Sequence, residues 1–295
     1  MLNYNLPGRP AEIITPQRLM LKGFIFSPSR AKILFIFVHG LSGSLLSRIE
    51  LAFELAKSGA AVLTFNNRGY GIINHFNRIN RQGRRAEIIG QAHEVFTDCV
   101  DDLEGAVRFG VKAGYKKIIL VGHSTGCNKI AYYLAKKSPA VVKGAVFLGP
   151  MSDYASVHQI APEVVCRRAV AHARRLVAVG RPHELLPASL WPDVIDAQRF
   201  LSLYIPESLE EIFSYAVVGK KPAILRQVRK PLLVILAEND EFRDRPTVEI
   251  VRWFKGASSG RLMSVKIIKN SLHHFQGFSR PVKKMILNWS DKINR

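Results

Sequence analysis

Cysteine is scarce in this chain. Three residues, Cys99, Cys127 and Cys166, are spread over 295 positions. An odd, widely separated set makes neither a disulfide framework nor a metal-ligand cluster, and it points to a reducing cytoplasm. Long apolar runs are also missing. The longest, "ILFIFV" at 33–38, is far too short to span a bilayer, so no transmembrane segment is expected. The opening "MLNYNLPGRPAEIITP" has neither the basic region nor the apolar core of a secretory signal. No internal repeat or low-complexity tract stands out. Acidic residues are few: 23 Asp and Glu against 43 Lys and Arg leave a net charge of +20. Such an excess draws anions and favours loose association with nucleic acid or acidic surfaces. The basic residues are dispersed, however, through "NRINRQGRR" (77–85), "CRRAVAHARR" (166–175) and the C-terminal third, with no interleaved aromatics and no nucleic-acid motif. They read as a solvated basic surface, with attraction of an anionic substrate as the alternative and no specific nucleic-acid partner.

What is present is enough for a substantial core: 47% hydrophobic residues in a chain long enough for one large α/β domain or a domain with an insertion. Short apolar strands alternate with amphipathic segments, the pattern of a mostly parallel sheet covered by helices. Strands are expected at 18–26, 32–40, 60–71, 116–122, 142–150, 231–240 and 262–270. Helices are expected near 47–58, 94–112, 125–137 and 281–293. Between Pro150 and Pro231 the rhythm breaks into helical patterning with no convincing strand. In "EVVCRRAVAHARRLVAVG" (163–180), Val165, Ala169, Ala173 and Leu176 share one face, and Arg167, Arg168, Arg174 and Arg175 another. We read 151–228 as a helical cap inserted after the sixth strand of a core formed by 1–150 and 229–295. It would lie over the carboxyl edge of the sheet, where ligands of open α/β sheets bind.

The strongest chemical signal is "IILVGHSTGCNK" (118–129), a G-x-S-x-G sequence between an apolar strand and a helix. Its turn is so tight that the positions two before and two after the serine must be nearly free of side chain, which Gly122 and Gly126 satisfy. Ser124 is thereby lifted above the sheet edge as a candidate nucleophile. A serine hydroxyl is a poor nucleophile until a base takes its proton, and that base needs an acid to fix its tautomer. The acid should follow a late strand, and Asp240 lies just beyond the apolar run of "PLLVILAEND". Glu238, Glu241 and Asp244 are close competitors, Asp153 a distant one, and Asp240 itself could instead cap a helix. The base should follow the last strand, where "SLHHFQGF" (271–278) offers His273 or His274. The developing oxyanion needs backbone donors. We assign these to the amides of Thr125, directly after the nucleophile, and of Leu41, in "VHGLSGS" (38–44). His39 in that loop reads as a structural residue beneath the site.

Together and in this order, "HGLSGS", "GHSTG", "END" and "LHHFQGF" resemble the α/β-hydrolase superfamily over nearly the whole chain. "NNRGYG" (66–71) is similar to the family's D-x-R-G-x-G loop, with Asn66 where Asp is common. The "GHSTGC" elbow and "AQRFLSLYIPESLEEIFSY" (197–215) resemble a branch that includes fungal siderophore esterases. The resemblance implies an α/β-hydrolase fold, His273 rather than His274 as the base, and Phe275 as a packing residue. His274 would point away. It also implies acyl transfer without a metal or cofactor, on a small-molecule ester or thioester. An amidase, peptidase or acyltransferase would use the same residues, and a non-catalytic ligand-binding protein of this fold is the alternative from another class. Serine rather than aspartate at the elbow argues against dehalogenase and epoxide-hydrolase chemistry.

Overall fold

A computed structural model describes residues 8–257 and 263–293. The first seven residues of the opening segment and Leu262, the start of the last expected strand, lie outside them. The chain begins with strands β1 (Gly8–Ile14), β2 (Leu19–Phe26) and β3 (Leu34–Val38), followed by helix α1 (Ile49–Lys57) and strand β4 (Ala61–Phe65). A hairpin of β5 (Asn74–Asn80) and β6 (Gly83–Ile89) precedes α2 (Cys99–Lys112). Then come β7 (Ile118–His123), α3 (Thr125–Lys136) and β8 (Val142–Leu148). Four helices follow without a strand between them: α4 (Asp153–Ile160), α5 (Glu163–Ala178), α6 (Ala197–Tyr204) and α7 (Ala223–Gln227). The chain closes with β9 (Leu232–Ala237), α8 (Thr247–Ala257), β10 (Met263–Ile268) and α9 (Ser279–Ile293).

All ten strands join one sheet in the order β10-β9-β8-β7-β3-β4-β2-β5-β6, with β1 paired along β2. The stretch from β10 to β4 is parallel, and β1, β2, β5 and β6 are antiparallel. The parallel strands read as continuous apolar runs because both of their faces are covered. Their side chains alternate between two cores. Leu34, Ile36, Ile118, Leu120, Phe147 and Val234 pack on one face with α2, α3 and α8. Phe35, Phe37, Ile119, Val121, Val146 and Ile235 pack on the other with α1 and α9. Each such fully buried side chain contributes about 1.5–3 kcal/mol relative to an exposed one.

Three strands are not among the expected ones. β6 buries only Ile89, so an edge strand covered by Arg84 and Arg85 shows no apolar alternation. β5 buries only Phe76. β1 does alternate, with Ala11 and Ile13 buried, but Pro10 obscures it; a proline is tolerated there because the strand has a partner on one side only. Five of the expected strands precede the helical interval, so with these three counted it follows the eighth strand in chain order and not the sixth. Its helices α4, α5 and α6 gather Val157, Ala169, Leu176, Trp191 and Phe200 into a third core. Its last part does otherwise: Ile212, Phe213, Leu225 and Val228 pack into the main core beside α3 and α8.

Candidate active site

The loop between β7 and α3 places Ser124 in a backbone conformation that side chains rarely adopt, with φ 54° and ψ −130°. The surrounding glycines make this possible. A Cβ on Gly126 would stand 2.2 Å from the Val38 carbonyl oxygen, and one on Gly122 2.7 Å from the Gly126 backbone. Ser124 N–H donates to the Leu148 carbonyl at 3.0 Å and its carbonyl accepts from Cys127 N–H at 2.8 Å, so the turn is held at both ends. The hydroxyl faces a cavity of about 340 Å³ and approaches Met151 Sδ at 3.7 Å.

His273 borders the same cavity and is buried. Its Nδ1–H donates to Asp240 Oδ2 at 2.8 Å, which leaves the lone pair on Nε2. Asp240 is itself fixed, since Oδ1 accepts from Phe242 N–H at 3.0 Å. The competing carboxylates are engaged elsewhere. Glu241 accepts the His273 backbone N–H at 2.8 Å, Glu238 accepts Asn270 N–H at 2.8 Å, and Asp244 pairs with Arg245 at 2.7 Å. Asp153 borders the cavity, but among the described residues no hydrogen bond or ion pair joins it to the His273 ring, whose carboxylate partner is Asp240. Helix α8 starts at Thr247, so Asp240 lies in the loop before it and does not cap it. No hydrogen bond joins Ser124 to His273 among the described residues; such bonds are often loose until substrate binds.

His274 also borders the cavity, contrary to the expectation that it points away. Its ring stands edge-on to that of His273, with centroids 5.4 Å apart. Partial burial, then His273 and Arg48, lower its pKa below the ordinary imidazole value.

Gly40 closely approaches Ser124: a Cβ on Gly40 would lie 2.8 Å from Ser124 Cβ. Leu41 and Thr125 follow these two residues, and among the described residues neither backbone N–H donates a hydrogen bond inside the protein. His39 lies beneath the loop. Its Nε2 accepts from Asn67 N–H at 3.1 Å, so Nδ1 carries the proton and donates to Gly40 O at 2.8 Å. Burial, reinforced by Lys129, drives its pKa down to about 3. It is a neutral strut.

Two supporting groups escape the sequence reading. His123, the residue between Gly122 and Ser124, donates Nε2–H to the His273 carbonyl at 3.1 Å and so holds that residue from behind. The other is a buried ionic network below the elbow. Lys129 pairs with Glu94 at 2.6 Å and with Asn67 Oδ1 at 3.0 Å, while Arg199 of α6 pairs with Glu94 at 3.1 Å and with Glu210. Burial pushes the Glu94 carboxyl up, but Lys129 and Arg199 outweigh it and hold it below the usual range. The available signal was a single lysine in the otherwise uncharged stretch "TGCNKIAYYLA" (125–135) of α3. In the "NNRGYG" loop, Asn66 Oδ1 accepts from Leu45 N–H at 2.6 Å, and Arg68 pairs with Asp98, Asp101 and Asp102.

Away from the Ser124 cavity, His93, His183 and Asp196 bring their ligand atoms within 4.8 Å of one another and have the make-up of a divalent-cation site. The two Nδ1 atoms stand 3.0 and 2.9 Å from Asp196 Oδ2, which ordinary hydrogen bonds also explain. Among the described residues no helix is long and apolar enough to cross a membrane.

A family model described as "Protein of unknown function (DUF1749)" matches residues 62–289. The chain belongs to the DUF1749 family. Fusarinine C esterase sidJ of Aspergillus fumigatus is 26% identical over 181 residues, taking in 45% of this chain and 51% of that protein. This DUF1749 chain therefore spans about half the length of the curated relative it matches. Among solved structures, siderophore hydrolase EstB from Aspergillus fumigatus aligns over 99% of both chains with TM-score 0.66 and 19% identity. The Pyrococcus furiosus esterase Pf2001 aligns over 99% of this chain and 92% of its own, with TM-score 0.61 and 16% identity. At these identities the likeness is one of fold, and the fold is that of the α/β hydrolases.

Proposed function

We propose that this DUF1749 protein is a serine hydrolase that cleaves a carboxylic ester or thioester through an acyl-enzyme on Ser124. The observation that carries the reading is the 2.8 Å contact between Asp240 Oδ2 and Nδ1 of a buried His273 that borders the same cavity as Ser124. With Nδ1 protonated, His273 Nε2 is the basic atom. It takes the Ser124 proton as Oγ attacks the carbonyl carbon, and Asp240 steadies the imidazolium that forms. The Leu41 and Thr125 amides receive the negative charge on the carbonyl oxygen of the tetrahedral intermediate. His273 then returns the proton to the departing alkoxide or thiolate. A water molecule, deprotonated by the same nitrogen, releases the acyl group from Ser124.

The names of the relatives, an esterase and a siderophore hydrolase, agree with ester cleavage. Residues 151–228 act as the cap in this reading, since Met151, Asp153 and Tyr204 close the cavity opposite the Gly40–Gly43 loop. A reducing cytoplasm suits three cysteines that are all free and buried. The test is turnover of p-nitrophenyl butyrate by the wild type and by Ser124→Ala. Turnover by the wild type and background rates with the variant support the assignment; equal rates from both proteins refute it.

A further inference from the structure

Arg48 is an unusual cation. It caps the N-terminus of α1 in a left-handed conformation, with φ 62° and ψ 25°, and no side-chain capping bond. A bulky residue in that conformation persists only where the surroundings hold it. Its side chain is half-buried and borders the Ser124 cavity. Nε is buried without a hydrogen-bond partner, and no carboxylate pairs with the guanidinium among the described residues. Most other buried cations of this chain are answered by acids: Arg68 by three aspartates, Lys129 by Glu94, Arg199 by Glu94 and Glu210. Arg48 is left with the long-range field of exposed Glu50 alone. An unpaired cation in a partly desolvated place is costly, and a ligand that supplies the anion recovers that cost.

The other polar groups around the cavity do not neutralise it. Asp240 is committed to His273, and Glu241 to the His273 backbone N–H. Asp153 borders the cavity, but burial, with Glu210 and Glu211 adding to it, pushes its carboxyl well above the usual carboxylate range and disfavours its charged form. Burial, then His273 and Arg48, hold His123 well below the ordinary imidazole value, and His274 is lowered as well. Among the described residues that line the cavity Arg48 is the one lysine or arginine, which matches one negative charge on a ligand rather than two. The net charge of +20 adds a field that draws anions toward the protein.

We propose that Arg48 is the anion-binding end of the Ser124 cavity and that the natural substrate is an ester whose acyl part carries a carboxylate. The planar guanidinium fork suits a carboxylate, which it grips through two parallel hydrogen bonds. A cavity of about 340 Å³ holds a short acyl chain, so the carboxylate and the scissile carbonyl lie on one small group. Arg48 also borders a second cavity of about 340 Å³, beside Phe275, Gln276 and Ser279.

This inference rests on the ester-hydrolase reading, and a matched pair of substrates separates the two. p-Nitrophenyl butyrate and the p-nitrophenyl monoester of succinic acid differ by a methyl group replaced with a carboxylate. With Ser124→Ala as the blank for spontaneous cleavage, the wild type should prefer the succinate ester in kcat/KM by about 10- to 100-fold, the range of one charge-assisted contact. Arg48→Gln should remove most of that preference and Arg48→Lys should restore part of it. No preference in the wild type, or an unchanged ratio in Arg48→Gln, overturns the proposal. If neither ester is turned over, the hydrolase reading fails. Titration of monomethyl succinate, which carries one carboxylate beside an ester carbonyl, into the Ser124→Ala protein by calorimetry then decides the anion site by itself. Binding that its neutral amide, methyl succinamate, does not reproduce supports it, and absence of binding overturns it. That titration and the wild-type preference also serve should the Arg48 variants fail to fold.

Discussion

Replacing Glu211 by glutamine should change how stability depends on pH. Glu211 is 4% exposed. Its Oε1 accepts from the Ser152 hydroxyl at 2.6 Å, and its Oε2 is buried without a partner among the described residues. Burial pushes its pKa from 4.5 up to about 7, against the opposing pull of the Ser152 hydroxyl and Lys220. A carboxyl raised in the folded state holds its proton there while the unfolded chain has already lost it. Its stabilisation is therefore full below pH 4.5 and is lost as the pH rises through about 7. Between pH 5 and pH 8 that loss comes to about 2.5 kcal/mol. Glu211→Gln keeps an acceptor for Ser152 and removes the titration. Urea unfolding of both proteins at pH 5, 6, 7 and 8 gives the two stability curves. Glu211→Gln should gain on the wild type by about 2.5 kcal/mol across that range, most of it below pH 7. Parallel curves would refute the argument.

The remaining predictions concern the site and its support. His273→Ala should lower kcat/KM for a p-nitrophenyl ester by about 10⁴-fold and His274→Ala by less than tenfold, and the reverse order would exchange their roles. Glu94→Gln leaves Lys129 and Arg199 short of a carboxylate. It should cost about 3–5 kcal/mol and lower Tm by roughly 10 °C, read by scanning calorimetry; a fall below about 2 °C would contradict the network. Gly126→Ala drives a methyl group against the Val38 carbonyl and should destabilise by about 3 kcal/mol in urea unfolding, while tolerance of it would mean the elbow can open.

Much of the parallel sheet and the elements that carry Ser124, Asp240 and His273 were legible because they rest on strong local constraints. A strand buried on both faces must be an apolar run, and the turn at Ser124 must have glycine two residues to either side. The β5–β6 hairpin was hidden because an exposed edge strand needs no apolar pattern. His123 was passed over because its partner is a backbone carbonyl 150 residues away. The Glu94–Lys129–Arg199 network depends on three segments meeting below the elbow, and no local pattern encodes that meeting. The α/β-hydrolase resemblance implies that His274 points away. The turn at Phe275, with φ 49°, instead keeps both imidazoles beside the cavity.

The central claim is that Ser124 is a nucleophile activated by His273, and a fluorophosphonate probe tests it most directly. After incubation of the native protein, intact mass and peptide mapping should show one phosphonyl group, on the peptide containing Ser124. Ser124→Ala should carry none, and His273→Ala should label far more slowly. Absence of label on the wild type, or label on a serine other than Ser124, would contradict the account.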